Sequence, residues 1–425
     1  MRLISFFLIT ALFGVCAAWA WSERYPELAM LEKNDNAIPS IADLEAGQEL
    51  VLLGNCESCH TQSGGQPFAG GYAIKTEFGT LYSSNITPDR ETGIGTWSYN
   101  AFRRAMRHGV DRKGNHLYPA FPYDRFAGLK EEDIASIYAF LKTEVAPVRY
   151  EPSETKMSFP WSIRQGLAGW KLLFHAPAPW AEKEGKSDKW RRGAYLAETI
   201  GHCGSCHSPR NFLGAEKKEK NAYSGGFSGS WYAPALIGEG SKIGGLDKDN
   251  LVNYLLDGWD LHLGVASGPM IKVANNLYDV NEDDAYAIAE YFLDLNSSGS
   301  EKLVLEENFD AIVWQKKPKN LSETVGRGNE IFVRHCKSCH KLGGKPSTKG
   351  FFAVLNQPFA NNLVHVVVEG IAPAYGSAEM LMPAKGNSLT NAELADLLTF
   401  LRETFSDKPV WENLHQTIGK IRTKM

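Results

Sequence analysis

Three copies of the string Cys-x-x-Cys-His stand in this chain of 425 residues, at Cys56–His60, Cys203–His207 and Cys336–His340. No other feature limits the possible folds so tightly. Two thiols and an imidazole at i, i+3 and i+4 share one face of a helical turn, so each string aims three side chains at one object. A zinc ribbon needs a second Cys-x-x-Cys a short distance away, but these strings begin 147 and 133 residues apart (203 − 56 and 336 − 203). A thioredoxin-like redox pair has no use for a trailing histidine three times over. What remains is the signature of covalent haem attachment, in which the thiols add to the vinyl groups and the histidine reaches the iron. The strings therefore assign Cys56, Cys59, Cys203, Cys206, Cys336 and Cys339 to three haem c groups, with His60, His207 and His340 on the iron.

The chain repeats around these strings. Each is preceded by a short helical run that begins near a glycine (Gly47, Gly193, Gly328) and followed much later by a second helical pattern, at 131–143, 281–295 and 390–404. The last opens with Thr390 and Glu393, a capping-box spacing, and continues with a helical stripe of Leu394, Leu397, Leu398 and Leu401. Ile134, Ile137, Tyr138 and Leu141 keep the same stripe in the first copy. This predicts a mostly α fold of three tandem domains with long ordered loops, at 41–150, 186–296 and 322–404. Between them lie a Pro- and Trp-rich segment leading to the charged stretch 182–189, and a polar linker from Ser297 through Lys319. The tail from Phe405 reads as a short amphipathic helix.

The sixth iron ligand is sought by column. Twelve residues after the aligned glycines Gly109, Gly258 and Gly370 stand Phe121, Met270 and Met382. A lone Met is ordinarily a core filler, but recurrence in register downstream of a haem string assigns Met270 and Met382 to the iron, ahead of the out-of-register Met380. Thioether ligation raises a haem potential relative to a second imidazole. Phe121 has no lone pair, so haem one is five-coordinate or takes a ligand from elsewhere. His116 in the same loop is the first candidate, with His108 and Met106 behind it.

The seventh cysteine, Cys16, lies in an uncharged run from Leu3 to Trp21, long enough to span a bilayer. Residues 1–21 are thus an export signal or an anchor. Ala18-Trp19-Ala20 has the form of a cleavage site, whereas Trp19 and Trp21 resemble interfacial anchors. Either way the remainder lies outside the cytoplasm. The net charge of −4 supplies no basic stripe for nucleic acid. The scatter of Asn85, Asp89 and Glu91 lacks the spacing of a calcium loop and reads as a loop closing over a haem edge.

The stretch Phe78-Gly-Thr-Leu-Tyr-Ser-Ser-Asn-Ile-Thr-Pro-Asp-Arg-Glu-Thr-Gly-Ile-Gly95 and His116-Leu-Tyr-Pro-Ala-Phe-Pro-Tyr123 resemble the first domain of the three-haem cytochrome c subunits of bacterial membrane-bound dehydrogenases. In the second domain the matching pieces are Trp190-Arg-Arg-Gly-Ala-Tyr-Leu-Ala-Glu198, Gly201-His-Cys-Gly-Ser-Cys-His-Ser-Pro-Arg-Asn211 and Gly268-Pro-Met270. The resemblance runs from about Leu44 to Phe405. It implies three cytochrome c-like domains and a separate catalytic subunit, which is a quinoprotein, a flavoprotein or a molybdenum enzyme. It also implies electron delivery to ubiquinone on the periplasmic side of the inner membrane. The alcohol-dehydrogenase branch has Met where this chain has Phe121; the Pro-Ala-Phe-Pro form is more similar to cytochromes paired with molybdenum hydroxylases or aldehyde-oxidising complexes. Two other functions compete: a haem enzyme that binds a small ligand at an open haem one, and a free-standing periplasmic electron shuttle.

Overall fold

The computed structural model of the protein describes residues 10, 14, 25–31, 38–175, 184–238, 240–260, 262–297, 322–340, 351–372, 374–375 and 382–424. The apolar run 3–21 (apart from Thr10 and Gly14), most of the second linker, and Met380 lie outside them. The chain divides into two compact units. One comprises Met1–Lys186, Ala194–Ser205 and Arg210–Glu216; the other comprises Ser187–Gly193, Cys206–Pro209 and Lys217–Met425.

Among the described residues the elements are helical with three small sheets, in agreement with a mostly α chain. In order they are α1 (Leu44–Leu53), the single-turn α2 (Cys56–Cys59), β1 (Ala73–Thr76), β2 (Gly79–Tyr82), α3 (Tyr99–His108), α4 (Tyr123–Phe126), α5 (Glu131–Thr143), β3 (Lys156–Met157) and α6 (Gly166–Phe174). Then follow α7 (Asp188–Glu198), α8 (Gly204–His207), β4 (Gly226–Ser228), β5 (Trp231–Ala233), α9 (Lys248–Asp257), β6 (Trp259–Asp260), β7 (Gly264–Val265), α10 (Pro269–Tyr278) and α11 (Glu282–Asn296). The last are α12 (Glu323–His335), α13 (Phe351–Leu355), α14 (Asn361–Glu369), α15 (Asn391–Phe405) and α16 (Leu414–Lys424).

The repeated plan is a helix ahead of each string crossed by a later helix. In the first unit α5 opens with three carboxylates in its first turn, where they oppose the positive end of the helix dipole. Its residues Ile134, Ile137, Tyr138 and Leu141 are fully buried. It crosses α1 where Gly47 faces Ser136: a Cβ on Gly47 would lie 2.3 Å from the Ser136 carbonyl oxygen. The second unit repeats this crossing twice. Gly193 meets Ala287 on α11, and Gly328 on α12 meets Asp396 on α15, with Cβ-to-carbonyl distances of 1.9 and 2.2 Å. Only glycine admits so close an approach of two backbones. Trp190 Nε1 donates to Asp294 and Arg192 pairs with Asp284, fixing the register of the middle crossing.

In the third copy Thr390 and Glu393 form the reciprocal capping box at the start of α15. Leu394, Leu397, Leu398 and Leu401 all enter one core with Ile331, Phe332, Leu363 and Val364. The C-terminal helix α16 adds Ile418 and Ile421 to that core, so the tail is an integral element. Within the second unit, the antiparallel β4–β5 hairpin is held to α14 by a side chain that imitates a strand. Asn362 Oδ1 accepts from the Tyr232 N–H at 2.8 Å, and its Nδ2 donates to the Tyr232 carbonyl at 2.7 Å.

Candidate haem sites

Each attachment string takes the helical turn that its spacing requires. The His60 N–H donates to the Cys56 carbonyl and the His340 N–H to the Cys336 carbonyl, both at 2.9 Å, while α8 carries Cys206 and His207. The imidazoles are oriented by the loops that follow. His60 Nδ1 lies 2.7 Å from the Ser84 carbonyl oxygen, and His207 Nδ1 lies 2.7 Å from that of Pro234. A carbonyl oxygen only accepts, so Nδ1 carries the proton and Nε2 keeps its lone pair for a metal. Burial pushes both rings below the ordinary histidine range, with the carbonyl bond a smaller opposing effect. These are neutral imidazoles poised to ligate.

The thiols sit in matching surroundings. Burial, with Cys59 adding to it, pushes the Cys56 thiol up to about 12, and burial pushes Cys336 up to about 11. A thioether, which carries no charge, suits the apolar site. In the third copy Cys336 and Met382 pack against the same hydrophobic core.

The distal loops show why columns of sequence align. Gly109 and Gly258 end α3 and α9 with φ of +58° and +70°, a left-handed conformation that glycine adopts without strain. Each is followed by the same pairing. Val110 bridges His116 as Trp259 bridges Val265, and Leu117 N–H and Ala266 N–H return to the Gly109 and Gly258 carbonyls, each at 2.7 Å. Phe121 N–H then bonds Tyr118 O at 3.1 Å, and Met270 N–H bonds Ser267 O at 3.3 Å. Phe121 therefore occupies the backbone position of Met270, and His116 that of Val265. In the third copy the residue after Gly370 bridges Met382 directly, so that loop keeps the twelve-residue spacing by a different route.

His116 is buried, its Nε2 has no hydrogen-bond partner among the described residues, and its Nδ1 lies 2.9 Å from Lys171 Nζ. Burial and then the Lys171 charge push it down to about 4. Lys171, on α6, also donates to the carbonyls of His108 and Gly109 at 2.7 and 2.6 Å, and burial pulls it down to about 7. As an ammonium, Lys171 leaves the His116 proton on Nε2; as an amine it accepts from Nδ1 and frees Nε2. His108 is exposed, whereas Met106 is buried on α3. Asp89, in the loop considered for calcium, spends its carboxylate on Glu91 N–H and on the N–H and hydroxyl of Thr92.

Sequence reasoning missed several side chains of these sites. Lys171 is one. Arg125 is another: it is buried and paired with Glu198 and Glu216, 73 and 91 residues away. His202, beside Cys203, bonds the Gly54 carbonyl through Nε2 at 3.3 Å, which brings the leading ends of the first two strings together. In the second unit, Trp231 stacks on His365 with centroids 4.3 Å apart and planes 15° from parallel. Trp231 also covers Gly268, two residues before Met270.

The family model for cytochrome c matches residues 44–144 and 325–405. The chain is 39% identical over 391 residues to a nicotinate dehydrogenase subunit of Pseudomonas putida, covering 90% of this chain and 32% of that protein. It is 33% identical to the gluconate 2-dehydrogenase cytochrome c subunit of Pantoea cypripedii, over 86% of each. It is also 33% identical to the fructose dehydrogenase cytochrome subunit of Gluconobacter japonicus, over 87% of this chain and 80% of that one. The chain belongs to the cytochrome c subunits of dehydrogenases. It spans about a third of the nicotinate dehydrogenase polypeptide and most of the length of the other two. As a member of this electron-transfer family the cytochrome subunit carries covalent haem c. The paired thiols on one helical turn, part-buried or exposed, and the oriented lone pairs of His60 and His207 fit that group. Haem c supplies one-electron redox chemistry; the protein supplies its attachment, the orientation of the iron's nitrogen ligand and the shielding from water.

Proposed function

We propose that this cytochrome subunit holds three haem c groups and carries electrons from a separate catalytic dehydrogenase to ubiquinone, on the periplasmic side of the inner membrane. The observation that carries the reading is the recurrence of one attachment geometry. In two of the three strings the histidine Nδ1 is fixed on a loop carbonyl 2.7 Å away, with Nε2 left for iron. Cys56 with Cys59, Cys203 with Cys206 and Cys336 with Cys339 bind the groups; His60, His207 and His340 ligate them, with Met270 and Met382 opposite the second and third. The contact of His202 with Gly54 supports direct exchange between the first two. Among quinoprotein, flavoprotein and molybdenum partners, the Pro-Ala-Phe-Pro form around Phe121 favours the molybdenum class. Alkaline pyridine spectra of denatured, fully matured protein should give three c-type haems per chain. Two or fewer would overturn the count.

For haem one the proposed sixth ligand is His116, supported by its burial and by an Nε2 that has no partner among the described residues. Ligation requires the proton on Nδ1 and Lys171 as the amine. His116→Ala should then create a carbon-monoxide-binding haem without changing the haem count. Carbon monoxide binding by the reduced wild type would overturn this ligand and favour the open site instead. That reading draws on the same hydrogen bond, since an ammonium at Lys171 would hold Nε2 protonated.

A further inference from the structure

Five large apolar side chains stand in solvent within one neighbourhood of the first unit: Phe159 (81% exposed), Ile163 (50%), Leu172 (53%), Leu173 (71%) and Phe212 (85%). Their segments converge around Phe78. Trp161 packs on the Phe78 ring at 4.7 Å, a Cβ on Gly214 would lie 3.0 Å from that ring, and Trp170 on α6 donates to the Leu213 carbonyl at 3.0 Å. A contiguous apolar surface of this kind marks an interaction site.

We propose that this surface, centred on the outer face of α6, lies in the interfacial layer of an anionic lipid bilayer. The inference rests on the membrane association proposed above. Three observations select lipid as the occupant. In a chain of net charge −4, residues 155–175 contain no Asp or Glu, and Lys156 and Arg164 lie outside the buried core, a sign complementary to anionic headgroups. Apolar tips flanked by Trp161, Trp170 and cations form the composition of a segment that lies in the plane of the interface. The third observation is reach. Tyr25 is fixed to the first unit, its ring edge-on to His116 at 5.9 Å, and His116 touches Lys171 on the inner side of α6. The apolar run ends at Trp21, four residues earlier, a distance that an extended chain spans in at most about 14 Å. An anchor at 3–21 would therefore hold α6 within reach of the headgroups.

The test uses the full haem-loaded chain with Cys16→Ser, carrying a nitroxide at Leu173→Cys or, separately, Leu172→Cys, with Glu132→Cys on α5 as the reference. The protein is reconstituted in vesicles of phosphatidylethanolamine and phosphatidylglycerol. The expected result is that labels at 172 and 173 become more accessible to oxygen than to a water-soluble nickel chelate, while the label at 132 stays open to nickel. A chain that floats with the vesicles but keeps 172 and 173 as open to nickel as 132 overturns this inference and leaves membrane association standing. A chain that does not float overturns both. Labels immobilised by a co-purified catalytic subunit in the absence of lipid would show a protein-docking surface and overturn the lipid assignment.

Discussion

Replacing Gly328 by alanine tests the helix crossing on which each copy is built. The added Cβ would lie 2.2 Å from the Asp396 carbonyl oxygen and 2.5 Å from Phe400 Cβ, so α12 and α15 must separate by about 1 Å. Overpacking of this kind costs about 1–3 kcal/mol. The upper end applies here because the obstacle is backbone, which cannot rotate away. Alanine in a helix interior recovers about 1 kcal/mol relative to glycine, leaving a net loss of about 2 kcal/mol. For a unit of this size each kcal/mol moves the midpoint by about 4–8 °C, so calorimetry of the ferric protein should show the third copy melting about 8–16 °C lower. Gly326→Ala, two residues earlier on the same helix, is the control. No described residue lies within 4 Å of its Cβ position, and the same change there should stabilise by about 0.5–1 kcal/mol. If Gly328→Ala is as stable as Gly326→Ala, the close crossing does not exist and the shared plan inferred from Gly47, Gly193 and Gly328 fails with it.

Other expectations follow from single contacts. Met270→His should lower the potential of one haem in a spectroelectrochemical titration, because imidazole favours the ferric state over thioether; unchanged potentials would remove Met270 from the iron. Thr390→Ala removes the capping box of α15 and should cost about 1 kcal/mol, read as faster amide exchange in the first turn of that helix. Lys171→Met removes the lysine's hydrogen bond to the buried end of α3 at the His108 carbonyl and one of the two that the Gly109 carbonyl accepts, and should cost about 1–3 kcal/mol. Lys171 titrates near 7 when folded against 10.5 unfolded, so the unfolded chain binds the extra proton between these values and stability rises with pH across that window. The Met variant should lack that rise in denaturant titrations run from pH 7 to 10.

The long helices were legible because their apolar stripe and caps are local. The pattern at 131–143 coincides with α5, and Thr390 with Glu393 marks the start of α15 as the capping box requires. The equivalence of Phe121 and Met270 was legible for the same reason, since both hang at a fixed count from a left-handed glycine. The small hairpins were not. β1 and β2 are four residues each, too short for alternation to rise above noise. Lys171 sits in Gly-Leu-Ala-Gly-Trp-Lys-Leu-Leu-Phe, where a lysine reads as an ordinary snorkelling residue. Its inward course is set by two carbonyls some sixty residues earlier. The Trp231–His365 stack joins residues of different copies, and nothing in either local sequence announces it.

The amide of Asn362 has a consequence for any shortened form of this protein. The β4–β5 hairpin is a two-stranded sheet, and the open flank of such a sheet is a template for pairing between molecules. At Tyr232 that flank is closed by Asn362, and beside it Phe227 and Tyr232 are covered by the Phe359 ring at 5.1 and 5.0 Å. A fragment ending before residue 322 would uncover the flank and both aromatic rings at once. Its failure would be one of solubility rather than of haem loading: it would self-associate through β5, and a charged residue in place of Phe227 would be the first substitution to restore a monodisperse protein.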